Sequence, residues 1–200
     1  MDCAKAKCLA LTFDDGPGPY TGRLLDMLER RSARATFFVV GGNAAARPEL
    51  LRRMTAEHHE IGNHTYHHAD LMTLSNGGIR DEIRRTQKVV HKATGRWPTV
   101  MRPPYGAFNA RVSRAVGMPE ILWHGDTRDW LYRDSGRVRR SVFKLARRNA
   151  VILVHDIRQT TVAAMPETLD GLIERGYTMV TVSELFGPGR MHAGRVYGWG

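Results

Sequence analysis

Three side chains with donor atoms suited to a divalent metal stand out first. His64-Thr65-Tyr66-His67-His68 carries histidines at i and i+4, which share a face if the segment coils into a helical turn. Asp14-Asp15 adds adjacent carboxylates that point to opposite sides of an extended segment, so one can bind a metal while the other acts as a general base beside an activated water. Two neutral imidazoles and one carboxylate suit zinc or a neighbouring transition metal and leave a coordination position open. His67 competes within the motif, because i and i+3 also face together. His58, His59, His91, His124 and His192 have no such pairing and read as structural or solvated.

The elements that must position these groups alternate. Cys8 to Phe13 is a strand that stops at Asp14-Asp15-Gly16-Pro17, a turn by composition. A helix over Tyr20–Arg31 follows, then a strand over Ala35–Val40, a helix over Pro48–Glu57, an extended piece ending at His64 and a polar helix over Gly78–Thr94. Thr99–Arg102 is extended before Pro103-Pro104, and Asn109–Val116 is helical with Asn109 as N-cap. Glu120–His124 forms a strand, Ser135–Arg148 a helix, Ala150–Val154 a strand ending at His155-Asp156, Pro166–Arg175 a helix, and Thr178–Val182 a last strand. Strand–helix alternation requires a parallel sheet with right-handed crossovers. Seven or so such units in one domain fit a closed or nearly closed α/β barrel better than a flat doubly wound sheet, and no Gly-x-Gly-x-x-Gly follows the first strand.

In such a barrel the polar residues just past the strand ends converge on one face. Asp14-Asp15, His64, Arg102, Asp126, Asp129 and His155 all hold that position. The domain is expected over residues 1–186, with an irregular tail over 187–200.

Composition narrows the classes. With 42% hydrophobic and 25% charged residues in 200, the chain reads as one soluble globular domain. No apolar run approaches the roughly 20 residues that span a bilayer. The start lacks a signal-peptide core, which leaves a cytosolic protein or a mature secreted domain. Cys3 and Cys8 could close a small disulfide loop, which needs an oxidising compartment. The net charge of +10 admits an anionic polymer or nucleic acid as partner. No zinc-finger spacing, basic region with heptads or aromatic RNA-binding motif accompanies it, so an arginine-biased soluble surface is the simpler reading.

Five motifs appear in order: Thr12-Phe13-Asp14-Asp15-Gly16-Pro17, His64-Thr65-x-x-His68, Arg102-Pro103-Pro104-Tyr105-Gly106, Asp126-Thr127-Arg128-Asp129-Trp130 and Leu153-Val154-His155. Together, over Cys8 to Phe186, they resemble the polysaccharide deacetylases of carbohydrate esterase family 4, the NodB homology domain. The resemblance implies a distorted (β/α) barrel in which Asp15, His64 and His68 bind one divalent metal ion. Zn²⁺ is the first expectation; Co²⁺, Mn²⁺ or Ni²⁺ also suit the ligands. It implies Asp14 as general base paired with Arg102, the Tyr105 N–H as an oxyanion donor, His155 as general acid oriented by Asp129, and Tyr105, Trp130 and Leu153 lining the acetyl pocket. One departure is His124-Gly125 before Asp126, where an apolar lead-in is expected; the role of Asp126 stays open. The function implied is removal of acetyl groups from an acetylated polysaccharide, N-acetyl of chitin-type chains or peptidoglycan or O-acetyl of xylan. A secreted or wall-associated monomer is expected, with no nucleic-acid partner and no membrane span. The alternative is a catalytically silent wall-binding module that keeps the metal site.

Overall fold

The first strand, β1 (Cys8–Asp14), is buried along its whole length, as a central parallel strand covered on both faces must be. Leu9, Leu11 and Phe13 join the large core under the helices, whereas Ala10 belongs to a second cluster with Phe38, Val100, Ile121 and Val151. That second cluster draws residues from separate extended segments onto one axis, which happens when a sheet curls around its own interior.

The computed structural model describes residues 2–187 and 189–198; Met1, Pro188, Trp199 and Gly200, which belong to the expected domain and tail, lie outside the described residues. After β1 come α1 (Thr21–Glu29), β2 (Thr36–Val39), α2 (Gly41–Ala46), α3 (Pro48–Ala56), β3 (Glu60–Asn63), α4 (Asn76–Thr94) and α5 (Ala110–Val116). Then follow β4 (Glu120–Ile121), β5 (Gly125–Asp126), α6 (Asp129–Tyr132), α7 (Ser135–Leu145), β6 (Ala150–His155), α8 (Gln159–Glu174), β7 (Thr178–Met179), α9 (Val182–Phe186) and β8 (Val196–Tyr197). The main sheet runs β3-β2-β1-β6-β5, with β7 also on β1, and all these pairings are parallel. Single bridges from Asn63 to Met101 and from Met101 to Glu120 carry it on to the β4–β8 pair. The result is the expected α/β architecture, a distorted barrel in a single domain with helices outside.

Several boundaries differ from the sequence expectation. The helix expected over Pro166–Arg175 begins seven residues earlier, at Gln159, with Pro166 inside it. Val162, Met165, Leu169 and Leu172 are buried at helical spacing, and this continuous apolar stripe outweighs the hydrogen bond lost at the proline. The strand expected over Glu120–His124 is two short strands, because Ile121 pairs with Tyr197 while Gly125 pairs with Ile152. The extended piece Thr99–Arg102 makes only bridges, at Met101. The last strand stops at Met179, and Thr181 caps α9 through a reciprocal capping box with Glu184. β8 falls within 187–200, the stretch expected to be irregular; two paired residues leave no periodicity to read.

Cys3 and Cys8 form a disulfide that ties the N-terminus to the start of β1. No helix among the described residues is long and apolar enough to cross a membrane.

Candidate active site

The parallel register sets the site. Asp14, the last residue of β1, lies directly beside His155, the last residue of β6, and His64 follows β3, two strands from β1 on its other side. Their side chains face a cleft of about 480 Å³ at the C-terminal ends of the strands.

Asp15, His64 and His68 meet there. Asp15 Oδ1 lies 3.5 Å from His64 Nε2 and 3.2 Å from His68 Nε2, and the three donor atoms lie within 4.8 Å of one another. Asp15 Oδ1 is buried without a hydrogen bond of normal geometry. Nδ1 of His64 lies 2.7 Å from the Arg102 carbonyl oxygen; donation there leaves Nε2 unprotonated and turned to the carboxylate. An orphaned carboxylate oxygen facing two imidazole nitrogens is a donor set that fits a divalent cation. Burial raises the Asp15 pKa, but the facing imidazoles and the charge of His155 outweigh it and hold the carboxyl well below its usual range. His67 is elsewhere: exposed, with Nδ1 2.6 Å from Glu82 Oε1.

The loop carrying the histidines is held from two sides. The N–H groups of Gly41 and Gly42 donate to the carbonyls of Thr65 and Tyr66 at 2.9 and 3.0 Å. The N–H groups of Tyr66 and His67 both donate to Glu82 Oε2 at 2.9 Å, from a buried carboxylate on α4. These bonds hold Thr65 and His68 in the left-handed region, at φ 64° and 59°, where non-glycine residues are uncommon.

Asp14 is buried and bound on one side to Arg102, whose Nη1 donates to Asp14 Oδ1 at 2.7 Å and to Thr12 Oγ1 at 2.8 Å. The remaining guanidinium donors reach the carbonyls of Ile121 and Leu122, at 2.9 and 2.8 Å, and its plane lies 4.2 Å over the Phe38 ring. Arg102 is therefore a fixed, fully buried cation that no exposed salt bridge could imitate.

Opposite, His155 Nδ1 lies 2.8 Å from Asp129 Oδ1, and the His155 N–H donates to Asp129 Oδ2 at 2.8 Å. Thr161 Oγ1 donates to the same oxygen at 2.6 Å. Burial favours neutral imidazole, but the Asp129 hydrogen bond and charge, with Asp14 and Asp15 adding, push the His155 pKa up to about 9. Asp129 is fully buried; desolvation raises its pKa, and the His155 and Thr161 contacts bring it below the ordinary value.

Residues 2–119 match the polysaccharide deacetylase family. The chain belongs to that family. It is 43% identical over 192 residues to the peptidoglycan-N-acetylglucosamine deacetylase PgdA of Listeria monocytogenes, covering 96% of this chain and 41% of the relative. The chain thus spans about two fifths of the length of the first curated relatives it matches. A solved structure of the T48 deacetylase with substrate superposes with a TM-score of 0.96 at 43% identity, covering 98% of this chain and 99% of that one. A family 4 acetyl xylan esterase from Clostridium thermocellum in complex with a cobalt ion superposes with a TM-score of 0.89 at 31% identity, covering 96% and 98%.

In this member of the polysaccharide deacetylase family the cleft is walled by Tyr105, Trp130 and Leu153, by Asp126, whose role the sequence leaves open, and by Trp123 and Arg158, which the sequence does not mark. Tyr105 is 70% exposed, takes φ 61° and sits edge-on to His68 at 4.8 Å between ring centres. Asp126 Oδ1 accepts the Arg128 N–H at 2.7 Å, and the glycine before it packs its backbone on Leu145, where a Cβ would meet Leu145 at 2.9 Å. Gly125 is thus a packing requirement. Glu82 and Thr161 also escaped the sequence reading. Each lies on a helix whose pattern reports only its apolar face, and no local spacing links either to the motif it supports.

Proposed function

We propose that the chain is a metal-dependent hydrolase that removes acetyl groups from a polysaccharide, with the N-acetyl groups of peptidoglycan or chitin-type chains as first substrates. One observation carries the reading: a carboxylate fixed by Arg102 and an imidazole fixed by Asp129 border one cleft with the Asp15–His64–His68 trio. When bound, a divalent cation held by that trio supplies Lewis acidity, acidifying a water molecule and polarising an acyl oxygen.

The chain's own residues do the rest. Asp14 takes the proton of the attacking water, and the buried Arg102 keeps that carboxylate aimed. The Tyr105 N–H, in its left-handed turn, donates to the acyl oxygen as negative charge develops. An amine leaves poorly without a proton, and His155, charged at neutral pH, donates one from Nε2 while Nδ1 stays on Asp129. Trp130 and Leu153 offer the apolar wall for the acetyl methyl, and Tyr105 the rim.

Zinc is the first candidate for the cation, and the cobalt ion of the Clostridium relative supports a transition-metal site of this kind. The disulfide and the wall-directed relative support action outside the cytoplasm, by a monomer whose cleft is complete within one chain. Likeness to an acetyl xylan esterase supports a second reading, O-deacetylation of xylan, by the same site.

The test couples metal analysis to acetate release from peptidoglycan, chito-oligomers and acetylxylan, with and without a chelator. One metal per chain with chelator-sensitive release is expected. Asp14→Asn should keep the metal and lose turnover; full turnover in that variant would reject Asp14 as the base. Metal retention with no release from any substrate would instead favour a silent wall-binding module.

A further inference from the structure

Arg158 is a cation without a counter-charge among the described residues, at the edge of the cleft. It lines the same cleft as Asp14, His155 and Trp130, three residues past His155, where the chain enters α8. Its Nε is sealed from solvent and has no hydrogen-bond partner. Every carboxylate on the cleft wall is committed elsewhere. Asp14 is bound to Arg102, Asp15 faces the two histidines, and Asp126 accepts the Arg128 N–H. His155, the other cation in the cleft, is neutralised by Asp129. The side chain is only half-buried, and its terminal nitrogens, which are not sealed, have no hydrogen-bond or ion-pair partner among the described residues, so they are open to an acceptor arriving from outside. The planar fork of arginine matches a carboxylate, an acceptor that a sugar chain can bear.

We infer that Arg158 is a specificity-determining residue that receives a carboxylate borne by the glycan, so that the cleft favours an anionic chain over a neutral one. The inference rests on the deacetylase reading. In peptidoglycan strands without a stem peptide the carboxylate is that of the lactyl ether on every second sugar; chito-oligomers carry none. Arg158 does no bond-making. It adds one charge-assisted pair to the bound chain, and that pair persists from ground state to transition state, so it acts on affinity for the anionic substrate more than on turnover.

The probes are peptide-free peptidoglycan strands with free lactyl carboxylates, the same strands methyl-esterified, and chito-oligomers of matched length. Arg158→Gln should lower kcat/KM on the free-acid strands by about tenfold or more, the size of one lost charge-assisted hydrogen bond, and leave chito-oligomers within about twofold. Arg158→Lys should recover part of the loss. Methyl esterification should cost the wild-type protein a similar factor and cost Arg158→Gln nothing further. Binding measured in parallel by tryptophan fluorescence should show the same pattern in Kd. An equal loss on both substrates, or no loss on the strands, overturns the inference. Should the metal-loaded wild-type protein release acetate from neither substrate, the deacetylase reading fails, and the binding comparison still decides whether Arg158 selects the anionic chain.

Discussion

The backbone carbonyl of Arg102 lies 2.7 Å from Nδ1 of His64, while the side chain of Arg102 lies 2.7 Å from Asp14. One residue thus orients both an imidazole of the proposed metal site and the adjacent carboxylate, through different atoms. The two jobs separate on substitution. Arg102→Lys keeps the carbonyl and a positive charge but loses the fork that reaches Thr12, Asp14, Ile121 and Leu122. Turnover should fall about 100-fold or more, as expected for a misaimed base, with metal affinity within a few-fold of wild type. Stability should fall by roughly 3 kcal/mol, because buried acceptors lose their donor. Acetate release, metal titration and thermal melting read the three effects; metal loss matching the activity loss would contradict the separation.

The His155–Asp129 pair makes a statement about pH. A folded-state pKa of about 9 lies above the ordinary 6.5, so the pair's contribution to stability is full below pH 6.5 and is lost as pH rises through about 9. The same titration removes the acid proposed to protonate the leaving nitrogen. The alkaline limb of kcat/KM should therefore fall near pH 9. Asp129→Asn removes the hydrogen-bonded charge and leaves only Asp14 and Asp15 to oppose burial, so the limb should move acidward by about one unit or more. A limb that stays near 9 in that variant would assign it to another group.

Glu82 shows what the sequence could not convey. The two histidines of the proposed metal site are visible as a spacing, but the spacing does not form a helical turn. Thr65 and His68 take left-handed φ, and the loop is fixed from outside by the Glu82 carboxylate and by the N–H groups of Gly41 and Gly42. Strand ends were legible because the apolar runs Cys8–Phe13 and Ala150–Val154 stop abruptly at acids and histidines. The supports were not, since Glu82 and Thr161 sit on helices where one polar residue looks like any other. The same limit explains Gln159 as the start of α8. The proline at 166 is the strongest local signal, whereas Val162 reveals its role only once the core is assembled.

The supporting role of Glu82 is testable apart from the chemistry. Glu82→Ala leaves the Tyr66 and His67 N–H groups without their acceptor and frees the loop that carries His68. Outer residues that orient metal ligands typically account for 10- to 100-fold in affinity, and a drop of about that size is expected here. At saturating metal most of the turnover should return, because no reacting group has been removed. Titration with zinc or cobalt at several loadings measures both quantities; a turnover loss that excess metal does not rescue would place Glu82 in the reaction itself.

The disulfide should matter for stability and not for catalysis. Cys3 and Cys8 close a loop with a sequence separation of 5, which by chain entropy is worth about 2 kcal/mol. Cys8 begins β1 and Asp14 ends it, so at ~3.3 Å per residue the bond sits roughly 20 Å from the base. Between them the strand is fully buried and hydrogen-bonded to β6 along its length, which keeps Asp14 in place when the N-terminal loop opens. Cys3→Ser combined with Cys8→Ala should lower Tm by about 4–8 °C, since about 1 kcal/mol corresponds to roughly 2–4 °C in a chain of this size. kcat/KM measured well below the transition should stay within about twofold. A large loss of activity at full folding would mean that the N-terminal loop, not the β1–β6 register, positions Asp14.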